Sequence, residues 1–225
     1  MLNPRKKMTK KEIKEDKFVE VALSAKAYVE DNYKQVSIIV VSIFGIILLF
    51  MIWNYIQNEK AEKSSTLLGE AQLEYQNLNY PKAKELLTLL RDEYPGTEAS
   101  DQGVFLYANL LYQEQNYSEA KEYFKEFLDS YSGSEILIAS GLAGYAACLE
   151  KDKAFEEAAE YYMRAQKAAK EFIEASNYLY LAGLNYAAAN DTKNAKNAFQ
   201  KIVDDYKSSN KLTDAQAELI MLANK

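Results

Sequence analysis

A pattern of three residues recurs four times along the chain. A small residue is followed twelve positions later by alanine and, four positions after that, by a bulky side chain. The four copies are Ala71/Ala83/Leu87, Ala108/Ala120/Phe124, Ala146/Ala158/Tyr162 and Gly183/Ala195/Phe199. They start 37, 38 and 37 residues apart, a period typical of proteins built from stacked helix pairs. The pattern therefore predicts an all-α solenoid of helical hairpins.

Close helix packing explains why these residue types recur at this spacing. The small residue lies within a first helix and the alanine near the start of a second helix, so the two backbones can approach closely. The bulky residue then fills the remaining space. We expect Pro81 and Ser118 to start second helices, and Gly96 followed by Thr97 to separate one unit from the next.

These features resemble tetratricopeptide repeats, whose pattern combines a small residue, an alanine, an aromatic residue one turn later and a closing proline. All four units have the first two features, three have the aromatic residue, and the first keeps the proline as Pro95. The resemblance covers about residues 61 to 210 and implies four repeats, which we place at 64–210. After them, Thr213 is expected to cap a C-terminal helix within residues 211–225 that covers the last repeat.

One uncharged segment precedes the repeats. No charged residue occurs from Gln35 to Asn58, and thirteen of the eighteen residues from Val36 to Trp53 are Val, Ile, Leu or Phe. Eighteen helical residues rise about 27 Å, close to the hydrocarbon thickness of a bilayer. Because no small-x-small cleavage site precedes Glu59, we interpret residues 36–56 as an uncleaved transmembrane signal anchor rather than a cleaved signal peptide. Residues 57–63 are expected to form a helical stalk.

Charge is distributed unequally on the two sides of this segment. The first 35 residues contain nine basic and six acidic groups, whereas the remainder contains eighteen basic and twenty-seven acidic groups. Basic residues flanking a span favour the cytoplasmic side, so residues 1–35 are predicted to be cytoplasmic and the repeats to face the periplasm, or the lumen or exterior in another cell type. The acidic repeats disfavour a nucleic-acid partner.

Residues 18–29, before the span, form either an amphipathic helix or a flank that only sets topology.

The sequence offers little for catalysis. It has no histidine and a single cysteine, Cys148, which excludes a hydrolytic triad and a zinc site in their usual forms. No glycine-rich phosphate loop follows a strand. We therefore expect no enzymatic activity, cofactor or metal, and we interpret Cys148 as a small buried residue.

Binding through a surface is the remaining kind of function. In tetratricopeptide solenoids the first helices line a groove, and the corresponding segments here, 64–80, 98–117, 134–150 and 172–191, contain no lysine or arginine. By position relative to each small residue, eight side chains are predicted to point into this groove: Leu68, Gln72, Tyr75, Phe105, Asn109, Tyr112, Asn177 and Tyr180. Aromatic and amide side chains suit an extended, partly apolar peptide. The alternative is that the aromatic residues pack between helices.

The order of a basic start, one span and acidic repeats resembles the ancillary subunit family of the bacterial Sec translocon. That resemblance implies a single-pass inner-membrane protein with a periplasmic domain that bridges the Sec translocon and periplasmic chaperones. The segments Tyr-Pro-Gly-Thr and Asn-Tyr-Ser-Glu-Ala are also similar to repeat proteins of outer-membrane assembly and of the Tol-Pal system. Two alternatives therefore stay open: an envelope-assembly scaffold that grips a folded partner, and a structural homo-oligomer subunit.

Overall fold

All regular structure in the described part of the chain is helical. A computed structural model describes the backbone of residues 10–224 and the side chains of residues 17–224. Ten α-helices and no strand occur among these residues, which confirms the prediction of an all-α fold. The chain divides into two compact units, Met1–Asn58 and Glu59–Lys225.

The first unit contains helix α1, Lys10–Asp31, and the beginning of helix α2, Tyr33–Gln76. Helix α2 contains an eighteen-residue stretch with a mean hydropathy of 2.9, none of it buried. It is the one helix within residues 10–224 that is long and apolar enough, by length and composition, to cross a membrane. Residues 57–63, the predicted stalk, are helical and lie within α2.

The second unit consists of helical hairpins. The end of α2 pairs with α3, and three further pairs follow before a last helix. The helices after α2 are α3 (Tyr80–Glu93), α4 (Glu98–Gln113), α5 (Tyr117–Ser130), α6 (Glu135–Lys151), α7 (Phe155–Ala168), α8 (Ala175–Ala188), α9 (Thr192–Asp205) and α10 (Leu212–Ala223). Each second helix, α3, α5, α7 and α9, also packs against the helix that follows it. Hydrophobic clusters therefore continue from one hairpin to the next.

The repeated small, alanine and bulky residues form the centre of every hairpin. All twelve are buried in the structure. Their contacts are tight, because a Cβ atom added to Gly183 would lie 2.5 Å from Cε1 of Phe199. Between successive hairpins, a Cβ atom added to Gly141 of α6 would likewise lie 2.5 Å from the ring of Phe127 of α5. The structure thus confirms that close approach of paired helices determines the pattern.

The turns between paired helices share an unusual backbone conformation. Leu78, Gln115, Lys153 and Asn190 have φ angles of 61° to 63°, and they are spaced 37, 38 and 37 residues apart. In each turn the next amide donates to a carbonyl five residues earlier, as from Asn116 to Leu111 at 2.9 Å. This left-handed residue ends the first helix of each pair. Of the four residues, only Asn190 is of a type that tolerates the conformation well.

The sequence signals for helix starts were correct at two positions. Thr97 caps α4, because its side chain accepts a hydrogen bond from the amide of Ser100 at 3.2 Å. Pro81 lies in the first turn of α3, where its missing amide hydrogen is not needed.

Two predicted helix starts were wrong by one or two positions. Helix α5 begins at Tyr117 and is preceded by Asn116, so Ser118 lies inside the helix. The left-handed turn residue before Asn116 sets this start. Helix α10 begins at Leu212 after Lys211, and Thr213 is its second residue rather than its cap. The helix nevertheless packs on α9 through buried residues, including Leu222.

Replacing Gly183 by alanine tests the contact that defines a hairpin. The new methyl group would overlap the Phe199 ring, which is fully buried and has no room to move aside. We expect Gly183→Ala to lower the free energy of unfolding by about 1–3 kcal/mol in a urea titration. Gly69→Ala is the matched control, because no atom lies within 4 Å of the added group. Gly69→Ala should raise the free energy of unfolding by about 0.5–1 kcal/mol. If the two substitutions changed the free energy of unfolding equally, the tight contact between Gly183 and Phe199 would be contradicted.

Replacing Lys153 by glycine tests the turn. A non-glycine residue in the left-handed region costs roughly 1–2 kcal/mol, and glycine removes most of this cost. We expect Lys153→Gly to raise the free energy of unfolding by about 0.5–1 kcal/mol. Lys125→Gly, at an exposed position inside α5, should instead lower it by about 1 kcal/mol. If Lys153→Gly and Lys125→Gly both destabilised the protein, the proposed cost of the left-handed conformation at Lys153 would be contradicted.

Candidate functional site

Of the eight predicted groove residues, Leu68 is buried in the core and Phe105 is half-buried. Leu68 is only 7% exposed and packs in the cluster that contains Ala71 and Leu87. Its side chain therefore stabilises the first hairpin. Phe105 is half-buried, and its ring centroid lies 5.2 Å from that of Phe127.

The predicted tyrosines also take part in packing. The hydroxyl of Tyr75 accepts a hydrogen bond from Nε2 of Gln113, which connects α2 to α4. Tyr112 packs edge-on against Tyr117, and burial raises the pKa of Tyr112. Tyr180 lies with its ring centroid 5.6 Å from that of Phe199, and burial likewise raises its pKa. These three rings are half-buried, so each has one side in contact with the hairpins and part of its surface exposed.

The predicted amides differ in exposure. Gln72 is exposed on α2. Asn109 is half-buried, and its Nδ2 donates to the carbonyl of Phe105 at 2.8 Å. Asn177 is half-buried on α8.

A cleft of about 290 Å³ separates the end of α2 from the beginning of α4. Its surface is mainly polar, with hydroxyl, amide and carboxylate groups beside the apolar side chains of Leu68 and Ala99. It is lined by Ser65, Leu68, Gly69, Gln72, Glu98, Ala99 and Gln102. Two of these residues, Leu68 and Gln72, are among the eight predicted groove residues. The other five were not predicted from the sequence. A Cβ atom added to Gly69 would meet no neighbouring element within 4 Å, so there is open space at this position.

Sequence reasoning missed a row of polar residues that the repeat spacing could have revealed. The residues equivalent to Asn177 in the earlier repeats are all polar. We call this set the polar row: Ser65, Gln102, Ser140 and Asn177, spaced 37, 38 and 37 residues apart. All four are exposed or half-buried. Only the last was predicted, because serine at a single position carries no strong signal.

The charge of the first helices differs from the prediction at one position. Helix α6 extends one residue further than expected and ends at Lys151, so the first helix of the third pair includes one basic residue. Its Nζ lies 5.4 Å from the ring centroid of Tyr117. Helix α4, by contrast, carries two acidic side chains, Glu98 and Asp101, in its first turn, where the helix dipole favours negative charge. Around the cleft itself no lysine or arginine is present.

A buried polar cluster connects the third and fourth hairpins. Glu150 accepts hydrogen bonds from Nδ2 of Asn185 at 2.5 Å and from the hydroxyl of Tyr162 at 3.2 Å. Burial and the neighbouring carboxylate raise the pKa of Tyr162. These bonds join α6, α7 and α8 and satisfy the buried amide of Asn185. The cluster therefore has a structural role.

The single cysteine is buried, as predicted. Cys148 has no exposed surface, and burial raises the pKa of its thiol to about 12. It is therefore protonated and unreactive at neutral pH. Within residues 17–224 no group of three or more potential metal ligands comes together.

Stacked helical hairpins whose first helices present amide, hydroxyl and aromatic groups define a helical-repeat protein of the class that binds other proteins or peptides. The chain belongs to the tetratricopeptide repeat-like domain family, whose model matches residues 26–221. The match begins before the apolar segment, so that segment and the repeats are part of the same family pattern. The resemblance to tetratricopeptide repeats is confirmed, whereas membership of the Sec ancillary subunit family is not established.

Solved structures share the fold. MamA 41-end from Desulfovibrio magneticus RS-1 is 17% identical, with a TM-score of 0.53 over 72% of this chain and 96% of that one. The MamA RS-1 ArsTM double mutant is 16% identical, with a TM-score of 0.53 over 72% and 95% of the two chains. BtubC (BKLC) from P. vanneervenii is 15% identical, with a TM-score of 0.56 over 74% and 83%. No curated protein matches the chain significantly.

Proposed function

We propose that this protein is a membrane-anchored scaffold that binds polypeptides through its first helices, without catalysis. The observation that carries this proposal is the cleft between α2 and α4, whose mainly polar surface also includes Leu68 and Ala99. Such a surface offers hydrogen bonds and apolar contact to a peptide. The half-buried rings of Tyr112 and Tyr180 extend the same kind of surface to later repeats.

The anchor is the apolar part of α2. Its large side chains are exposed, including Ile38 at 66% and Phe50 at 63%, which is costly in water and favourable in lipid. The excess of basic residues before this segment supports a cytoplasmic N-terminus. We therefore place the repeats in the periplasm of a bacterial inner membrane.

The biological role we propose is secretory protein handover at the Sec translocon, from the translocon to periplasmic chaperones. The order of segments supports it, because a periplasmic repeat domain anchored beside the translocon would meet unfolded chains as they emerge. A neutral-to-acidic surface with amides and aromatic rings suits such clients better than a basic clamp for carboxylates.

A homo-oligomeric scaffold is a second candidate, and a specific observation favours it. Ile220 and Met221 on α10 are 64% and 52% exposed. Two neighbouring apolar side chains at the end of a solenoid could pack against another copy. In that case the anchor would tether an oligomer rather than a client-binding monomer.

Labelling of introduced cysteines tests the proposed orientation. We expect a membrane-impermeant maleimide to label Lys125→Cys in intact spheroplasts, and Ser24→Cys only after detergent lysis. Both positions are exposed, so each thiol is accessible within its own compartment. The unmodified chain is the control, because Cys148 is buried. Labelling of Ser24→Cys alone in intact spheroplasts would contradict the orientation.

Photo-crosslinking in cells tests the proposed binding surface. A photoreactive residue replacing Gln72, in the cleft, should capture secretory polypeptides, translocon subunits or chaperones. The same residue replacing Lys125, which is exposed on second helix α5, should capture far less. Equal capture from both positions would argue against binding by the first helices, and capture solely of another copy would favour the homo-oligomer.

A further inference from the structure

We infer that the first hairpin carries a docking site for an amphipathic α-helix of a partner protein, with lysine or arginine beside the apolar side of that helix. The site is a surface of α2 and α3 that we call the open face. Its exposed members are Thr66, Glu70 and Leu73 on α2 and Leu89 and Glu93 on α3. The open face shares no residue with the lining of the cleft between α2 and α4, so it goes beyond the proposed function.

The open face corresponds to a surface that is covered in every later hairpin. The position of Leu73 is occupied by Leu110 in α4, Cys148 in α6 and Asn185 in α8. Each of these three helices packs against the second helix of the preceding hairpin, and the three residues are at most 2% exposed. Leu73 is 57% exposed, because α2 is the first helix of its compact unit and no second helix precedes it there.

A cleft of about 460 Å³ lies on the open face between α2 and α3. Its surface is mainly apolar, and it is lined by Glu59, Glu62, Lys63, Thr66, Leu67, Glu70, Leu89, Glu93 and Tyr94. Leu67 and Tyr94 pack against the hydrophobic cluster of the hairpin, whereas Leu89 is 45% exposed. The end of a repeat array that only contacts solvent is expected to be polar. Exposed leucines at this end indicate contact with another protein.

The rim of this cleft is acidic. Four glutamates and one lysine line it, and Nζ of Lys63 lies 2.7 Å from Oε1 of Glu59. Glu62, Glu70 and Glu93 give the rim an excess of negative charge. Such a rim attracts a basic partner and repels an acidic one. Charge complementarity therefore favours lysine and arginine on the docking helix.

The ion pairs between successive hairpins indicate the same chemistry. Three of them connect hairpins within residues 17–224, namely Lys84–Glu114, Arg91–Glu126 and Lys121–Asp152. In each pair the basic residue belongs to the earlier second helix, and the acidic residue belongs to the hairpin that follows. A helix that packs before α2 in the same way supplies the basic groups.

The same junctions define the residue pattern of the docking helix. Each second helix at these junctions has a basic residue followed by apolar residues three and six positions later. These are Lys84, Leu87 and Leu90 on α3, and Lys121, Phe124 and Phe127 on α5. The apolar residues pack closely on the next first helix, since a Cβ atom added to Gly103 would lie 2.8 Å from Cδ2 of Leu90. The pattern is that of an amphipathic helix bound in a groove.

A second copy of the chain does not present such a helix at its end. Helices α3, α5, α7 and α9 already pack against the helices that follow them. The last described helix, α10, occupies the place of a first helix, because Ala215 and Leu222 correspond to Tyr178 and Asn185. An end-to-end copy would therefore bring α10 to the open face rather than a second helix. Helix α1 is cytoplasmic in the proposed topology, whereas the open face is periplasmic. The occupant is therefore a helix of another protein.

Helical peptides and the full-length protein in lipid nanodiscs test the inference. Three fluorescein-labelled, hydrocarbon-stapled peptides of about five helical turns would be compared by fluorescence anisotropy. The basic peptide has leucine along one side, lysine beside the leucines and glutamine elsewhere. The acidic peptide has glutamate in place of each lysine. The scrambled peptide has the composition of the basic peptide, with leucine and lysine distributed evenly around the helix.

We expect the basic peptide to bind, and the acidic and scrambled peptides to bind at least about tenfold more weakly. Nanodiscs of zwitterionic phosphatidylcholine minimise attraction between lysine and lipid, and empty nanodiscs measure what remains. Equal affinity of the acidic peptide would overturn the charge complementarity. Equal affinity of the scrambled peptide would overturn docking of an amphipathic helix, and so would failure of the basic peptide to bind.

Charge reversal identifies the surface. The double variant Glu70→Lys, Glu93→Lys should weaken the basic peptide by about tenfold and strengthen the acidic peptide. The double variant Asp129→Lys, Glu157→Lys makes the same change of charge at exposed positions of α5 and α7, and should leave both affinities unchanged. Thermal melting followed by circular dichroism verifies that both variants fold. Equal affinity of the two double variants for the basic peptide would overturn the assignment of the site.

Two single variants separate the apolar contact from the other cleft. Leu89→Ser should weaken the basic peptide by about threefold to tenfold, because it removes an exposed apolar group from the open face. Glu98→Lys alters the charge of the cleft between α2 and α4 and should have no effect on this peptide. A loss of affinity in Glu98→Lys without a loss in Leu89→Ser would place the peptide in that cleft and overturn the inference.

Mass photometry distinguishes a partner protein from a second copy. The full-length protein in detergent should have the same mass with and without the Glu70→Lys, Glu93→Lys change. If the unmodified chain formed a dimer that these two substitutions dissociated, the open face would be an interface between copies, and its assignment to a partner protein would be overturned.

Discussion

The contact between a bulky side chain of a second helix and a small residue of the first helix is the constraint on which the remaining structure depends. At Gly183 a Cβ atom would lie 2.5 Å from the ring of Phe199, so the two helices approach more closely there than a larger residue would allow. Alanine serves the same purpose at Ala71, Ala108 and Ala146, each fully buried. Because this contact recurs every 37 or 38 residues, every hairpin has nearly the same geometry.

Hairpins of nearly equal geometry place equivalent residues in rows across the first helices. The left-handed residue in each turn keeps the two helices of a pair in register despite its conformational cost. As a result, side chains 37 or 38 residues apart lie on neighbouring helices. A hydroxyl at Ser65 or Ser140 has little significance alone, but together with Gln102 and Asn177 it shows that the same position is polar in every repeat.

The candidate site was predicted in part. The first helices and the amides Gln72, Asn109 and Asn177 could be read from the repeat register, and Gln72 is indeed exposed in the cleft. An aromatic residue at a groove position, however, is equally compatible with packing. Phe105 shows the reason: its burial depends on Phe127, twenty-two positions later on α5, and the extent of that overlap follows from the helix crossing rather than from local sequence.

The sequence by itself determined the helical-hairpin architecture, the number of repeats and the position of the apolar segment, because each depends on residue type at a fixed spacing. It also indicated that Cys148 is a small buried residue, because it lies in the first helix of the third repeat and the chain has no second cysteine to pair with it. Only the tertiary structure decided which groove residues keep an open surface. The cleft at Gly69 arises from the separation of α2 and α4, a distance between helices that no local pattern of residues encodes.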